Sequence, residues 1–152
     1  MKNLIVNQVN IKDKKQNRYP RKRQPKVNSR QKGAGGEREV CSILSKITGS
    51  VVTRSLESVR AGGADITCLP NISVEVKRKK RIMPCDVRSF WTQAVNQAEK
   101  EEKKPVLFMR EDRGEWQIVL ALGDLIAVEE NNYLPVILDL DSFPIIYKRW
   151  SN

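Results

Sequence analysis

Histidine is absent from the 152 residues, which removes every reaction that needs an imidazole as base, acid or metal ligand. Ser-His-Asp hydrolysis, histidine-ligated zinc hydrolysis and the His-based nuclease chemistries are excluded together. Cysteine is scarce. Cys41, Cys68 and Cys85 are 27 and 17 positions apart, which makes neither a CxxC pair nor a zinc knuckle. An odd number of thiols fits a reducing compartment, where each behaves as a small buried hydrophobe. Aromatic residues make up 6% of the chain, and no apolar run approaches the ~20 residues that span a bilayer. The basic N-terminus carries no secretory signature. These absences leave an expected soluble, intracellular protein, of cytoplasm or nucleoid and cellular or phage-encoded, with one domain plus a tail.

What the chain has in excess is positive charge, +10 overall, and it is concentrated at one end. Of 28 basic residues eleven, and of 18 acidic residues one, fall in 1–32, which leaves seventeen of each sign in 33–152. The chain therefore reads as a basic arm, 1–32, and a neutral globule, 33–152. The arm has too few apolar residues to offset its ordering entropy and is expected to be largely disordered, apart from a short strand at Leu4-Ile5-Val6. Its charge suits phosphates, and Arg21-Lys22-Arg23 suits a minor groove. A solubilising or localisation tail is the alternative.

Along the globule, Gly33-Ala34-Gly35-Gly36 reads as a flexible joint. Val40, Ile43, Leu44 and Ile47 then fall at i, i+3, i+4 and i+7 of an amphipathic helix, with Glu37 and Glu39 in its first turn. Val51-Val52-Thr53 and Asp65 to Leu69 read as strands on either side of a polar loop. Ile72 to Lys77 alternates at period two as a hairpin partner. A longer helix opens at Pro84, with Asp86 as its cap, and Pro105 prevents its continuation. Strands follow at Val106–Met109 and Trp116–Leu120, then a short helix from Leu125 to Glu130 capped by Asp124. Val136–Leu138 and Ile145–Tyr147 read as late extended segments. Helix, strands, helix, strands is a mixed α/β order with a central sheet.

One constellation carries chemistry. Asp65 follows Gly62-Gly63-Ala64, and ten residues later Glu75 and Lys77 share one strand face while Val74 and Val76 take the other. A short turn brings Asp65 near Glu75. Two carboxylates that close repel unless a cation separates them, and all-oxygen ligands suit Mg²⁺ or Mn²⁺. Glu37 can add a third carboxylate from the first helix, and Lys77 can orient or deprotonate an attacking water. Glu-x-Lys on its own is an ordinary feature of a solvated strand face. The order acid, Gly-Gly-Ala-Asp, gap, Glu-x-Lys, then Arg78-Lys79-Lys80-Arg81 gives it meaning.

That order resembles the PD-(D/E)xK nuclease superfamily, and most closely its archaeal-type and phage-type Holliday junction resolvases. The stretch Lys32-Gly33-Ala34-Gly35-Gly36-Glu37-Arg38-Glu39-Val40 is similar to their opening Lys-Gly…Glu-Arg-Glu signature, whose first Glu is catalytic. The resemblance, over roughly residues 32–110, implies a restriction-endonuclease-like mixed central sheet flanked by helices. Glu37, Asp65, Glu75 and Lys77 are then catalytic, and Glu37, Asp65, Glu75 and Val76 are the metal-holding positions. It further implies a loop serine (Ser58, with Ser55 the second match), a helical glutamine (Gln93), and a symmetric dimer cutting opposing strands of a four-way DNA junction. Ala64 stands where the superfamily has Pro, a change that spares every ligand.

Arg78 to Arg81 lie just past this centre and suit phosphate contacts; Lys32, Arg54 and Arg60 suit the same backbone. Phe90, Trp91, Trp116 and Trp150 read as packing residues. The expected activity is Mg²⁺-dependent endonucleolytic cleavage of branched DNA. The alternatives are a restriction or repair nuclease acting on duplex DNA, and a non-catalytic DNA-binding protein whose acids are structural.

Overall fold

The computed structural model describes residues 29–55, 65–67, 69–126 and 132–151. Several expectations lie outside the described residues: the arm with Arg21, Lys22, Arg23 and the Leu4-Ile5-Val6 strand, the loop bearing Ser58 and Arg60, Cys68, and the predicted helix end at Glu130.

Among the described residues six strands form one sheet in chain order: β1 (Thr53–Arg54), β2 (Ile66–Thr67), β3 (Ile72–Lys79), β4 (Lys104–Glu111), β5 (Gln117–Ala121) and β6 (Pro135–Asp139). All neighbours are antiparallel except β3 and β4, which run parallel with Glu75 beside Leu107 and Lys77 beside Met109. A parallel pair needs a crossover, and α2 (Pro84–Glu101) supplies it. Proline at its start has no N–H to lose there. Its end is marked by Glu102, in the left-handed region at φ 53°. Asp86 is not the cap: it sits three residues past Met83 and accepts the Met83 N–H at 2.9 Å, because the helix begins at Pro84 itself.

The period-two pattern of β3 divides two buried layers rather than core from solvent. Ile72, Val74 and Val76 join Val40, Leu44, Phe108 and Phe143 on one side of the sheet. Leu107 and Met109 meet Trp91 and Ala94 of α2 on the other, the side to which Glu75 and Lys77 also point. A mixed sheet with helices on both faces is the architecture the sequence predicts.

Five further local readings need correction. Gly33-Ala34-Gly35-Gly36 is no joint, since α1 spans Ser29–Thr48 and includes it. A β-carbon added at Gly36 would stand 3.4 Å from the Trp116 ring and 3.5 Å from Arg78 Cβ, in ordinary contact, so the helix lies against the sheet here with room for a methyl group but little more. Glu37 and Glu39 consequently lie beyond the first turn, which holds no acid. Ile145-Ile146-Tyr147 belongs to a helix, α4 (Phe143–Ser151). Phe143, Ile146, Tyr147 and Trp150 form its packed stripe, and Phe143 meets Phe108 edge-on at 5.4 Å. The short helix α3 is Leu122–Leu125, with Asp124 inside it rather than capping it, where its carboxylate pairs with Lys104. Finally, Cys41 is buried but Cys85, in the first turn of α2, is exposed.

Among the described residues no helix is long and apolar enough to cross a membrane.

Candidate active site

The hairpin sets Asp65 in place through main-chain bonds on both sides. The Ser55 N–H donates to the Asp65 carbonyl at 3.0 Å, and the Asp65 N–H donates to the Val74 carbonyl at 3.2 Å. Its side chain turns toward β3, where Oδ2 accepts the Val76 N–H at 2.9 Å. Burial, followed by the charge of Glu75, pushes the Asp65 carboxyl up to about 6. The Val76 N–H and the Lys77 ammonium oppose the rise, and Glu37 adds to it. Three acids and one lysine from α1, β3 and the start of β2 therefore share one electrostatic neighbourhood.

Glu75 is 4% exposed. Its Oε1 receives Lys77 Nζ at 2.5 Å and Gln93 Nε2 at 2.8 Å. Gln93 reaches it from α2. Glu37, from α1, is engaged by Arg54 of β1 in a two-nitrogen contact. Val76 buries its side chain in the α1-side layer and offers the site its main chain, beginning with the N–H already on Asp65. Ser55 is buried beside Asp65.

Each carboxylate apart from Asp65 thus carries a cationic partner from the protein. Among the described residues no three His, Cys, Asp or Glu side chains form a ready-made metal cage. The donor chemistry nonetheless fits a hard divalent ion: oxygen ligands, no sulfur or imidazole, and a half-buried Asp65 made unfavourable as an anion by desolvation and by another carboxylate.

The basic residues expected at phosphates divide. Lys32 pairs with Asp112. Arg78 turns to the α1 side and meets Glu39 at 3.1 Å and Asp112 at 3.8 Å. Lys79 turns to α2 and binds Asp86 at 2.6 Å, an ammonium contact that holds the Asp86 carboxyl below the usual carboxylate range. Lys80 and Arg81, past the strand end, are exposed.

Two groups escaped the sequence. Glu39 accepts from Arg78, from Arg110 at 2.8 Å and from Trp116 Nε1 at 3.3 Å, clamping α1 to the sheet. Its position two residues after Glu37 was the available signal, since that spacing sends the two acids to different sides of a helix. Phe90 is half-buried, with the ammonium groups of Lys77 and Lys79 each 5.6 Å from its ring centre. Trp91 and Trp116, by contrast, are core residues as expected.

A mixed sheet that carries Asp65 at the entry to one hairpin strand and Glu-x-Lys on the next defines a nuclease of the PD-(D/E)xK type. The chain belongs to the family described as "Phage putative PDDEXK endonuclease", whose family model matches residues 28–142. A solved structure of Hjc from Archaeoglobus fulgidus, a Holliday junction resolvase, is similar to it at 18% identity and a TM-score of 0.42. That likeness covers 75% of this chain and 88% of the other. Among curated proteins, none matches.

Proposed function

We propose that the protein is a Mg²⁺-dependent, structure-selective DNA endonuclease that hydrolyses phosphodiester bonds at branched DNA, a four-way junction first among them, as a symmetric dimer. One observation carries the reading: Asp65 is half-buried, hydrogen-bonded to the residue between Glu75 and Lys77, and pushed up to about 6 by desolvation and then by the charge of Glu75. A structural acid of that kind is costly unless its charge has a use.

Asp65 and Glu75 would hold the cation, with the main chain of Val76 beside them and Glu37 as a third carboxylate in the same electrostatic neighbourhood; Mn²⁺ has the same oxygen preference. Such an ion, when bound, polarises the phosphodiester and offsets negative charge developing on it. Gln93 keeps Glu75 turned inward. Lys77 Nζ donates hydrogen bonds to water beside the scissile phosphate and orients it for attack. Arg54, Lys80, Arg81 and the N-terminal arm contribute positive charge along the DNA backbone. The preference for a junction rests on the similarity of Lys32–Val40 to the resolvase signature, and the dimer supplies one cut to each opposing strand.

The test is purified protein with Mg²⁺ on junction, flap, duplex and single-stranded DNA. Junction cleavage that disappears in Asp65→Ala and Glu75→Ala supports the proposal. Cleavage that survives both removes the assigned centre, and a preference for duplex DNA replaces the junction with a restriction or repair substrate.

A further inference from the structure

Three successive same-face residues of β3 meet three residues of α2 in reverse order. Gln93 holds Glu75, Phe90 lies against Lys77, and Asp86 binds Lys79. Two residues along a strand advance about 6.6 Å, and three or four along a helix advance about 4.5–6 Å, so the two elements stay in step through all three contacts. The outer two are polar and directional. The middle one is an aromatic face.

Phe90 sits at the rim of the layer that Trp91 and Ala94 fill. Both ammonium nitrogens stand 5.6 Å from its ring centre, inside the ~6 Å at which a ring quadrupole attracts a cation. Two like charges can share one ring because each has a carboxylate of its own, Glu75 for Lys77 and Asp86 for Lys79.

We infer that Phe90 is a positioning residue for Lys77, and that it acts through the face of its ring rather than through its bulk. The consequence for cleavage rests on the nuclease reading above. Glu75 alone cannot fix the ammonium: the same oxygen accepts from Gln93, and the carboxylate is also offered to a cation. A lysine's four-carbon stem leaves its charge many places to stand. The ring is a hold on Lys77 that no other ligand of Glu75 competes for.

The experiment compares the full chain with F90L, which keeps apolar bulk, and F90Y, which keeps the ring face. Proton NMR of lysine-labelled protein, without metal or DNA, reads the Lys77 Hε resonances. They are expected upfield in the wild type and in F90Y, and at the ordinary lysine position in F90L. Turnover with Mn²⁺ on the DNA the wild type cuts is expected to fall roughly 3- to 30-fold in kcat for F90L, the range a cation–ring attraction represents. KM should stay within about twofold, and F90Y should recover most of the loss. Where F90L melts below the assay temperature, F90M takes its place with the same expectations. Unshifted Lys77 resonances in the wild type, or wild-type kcat in F90L, overturn the inference. A ring shift that F90L abolishes, in a wild type that cuts no DNA tested, upholds the positioning contact and overturns the nuclease reading instead.

Discussion

The main-chain N–H of Val76 donates to Asp65 Oδ2 at 2.9 Å, so the residue between Glu75 and Lys77 is the one that aims Asp65. A single strand thereby organises the whole centre: its side chains face α2 on one side, its apolar residues face α1 on the other, and its edge holds the second acid. Register between β2 and β3 and geometry of the site are the same quantity. A slip by one residue would send Glu75 and Lys77 into the α1 layer.

Asp65 makes the metal-free protein pH-sensitive. Its carboxyl rises from 3.8 to about 6 on folding, so between those values the folded state binds more protons than the unfolded one. Stability conferred by the protonated acid is therefore present below pH 4 and lost as the pH rises through 6. Asp65→Asn should raise the neutral-pH stability of the metal-free protein by about 1–3 kcal/mol, after allowance for partial solvent access, and flatten its pH profile in that window. The same variant should lose the rise in melting temperature that Mn²⁺ gives the wild type. Thermal melts across pH 4–8, with and without Mn²⁺, check both.

Gln93 is exposed along most of its length yet donates to a buried carboxylate. Gln93→Ala should leave the melting temperature nearly unchanged and lower kcat/KM by roughly 10- to 100-fold, the weight of a hydrogen bond to a charged group. Gln93→Glu, which sets a like charge beside Glu75, should cut less than the alanine variant. Steady-state kinetics at saturating Mg²⁺ decide it.

Helical glycines that pack loosely should be improvable. Added β-carbons at Gly33 and Gly35 find no neighbour closer than 3.8 and 3.9 Å, so G33A and G35A should each stabilise by about 0.5–1 kcal/mol. Gly36→Leu has no such room against Trp116 and Arg78 and should cost about 1–3 kcal/mol. Denaturant melts distinguish a helix from a joint at this place, because a joint would gain nothing from alanine.

Glu39 neutralises two guanidinium groups and accepts from the Trp116 indole. Glu39→Ala should destabilise by about 1–3 kcal/mol and lower turnover at temperatures where the fold is intact, because α1 also carries Glu37. Glu39→Gln, which keeps an acceptor, should recover part of the loss. Chemical denaturation paired with activity at low temperature reads both effects.

Much of this was legible in the sequence where the signal is local. The alternation of Ile72 to Lys77 placed Glu75 and Lys77 on one face, and the spacing to Asp65 placed it on the adjoining strand. Gln93 on α2 followed from a resemblance, and it does reach Glu75. Where a reading failed, a packing partner distant in sequence had overridden the local propensity. Ile145-Ile146-Tyr147 favours strand by composition, but Phe143, Ile146, Tyr147 and Trp150 share a helical stripe that the Phe108 layer covers. Gly33, Gly35 and Gly36 discourage helix by propensity, but the helix packs against the sheet there, with Gly36 beside Trp116 and Arg78, residues far along the chain. The ion pairs of Glu37 with Arg54 and of Glu39 with Arg78 and Arg110 join α1 to three different strands, and no spacing rule announces such pairs.

The central claim is that Asp65 and Glu75 bind one divalent cation between them. A crystal grown with Mn²⁺, examined by anomalous diffraction at the manganese edge, tests it most directly. A peak is expected within ligand distance of both carboxylates, with Lys77 Nζ displaced from Glu75 Oε1 and still over Phe90. No peak there, or manganese bound only at surface acids such as Glu99 and Glu102, contradicts it.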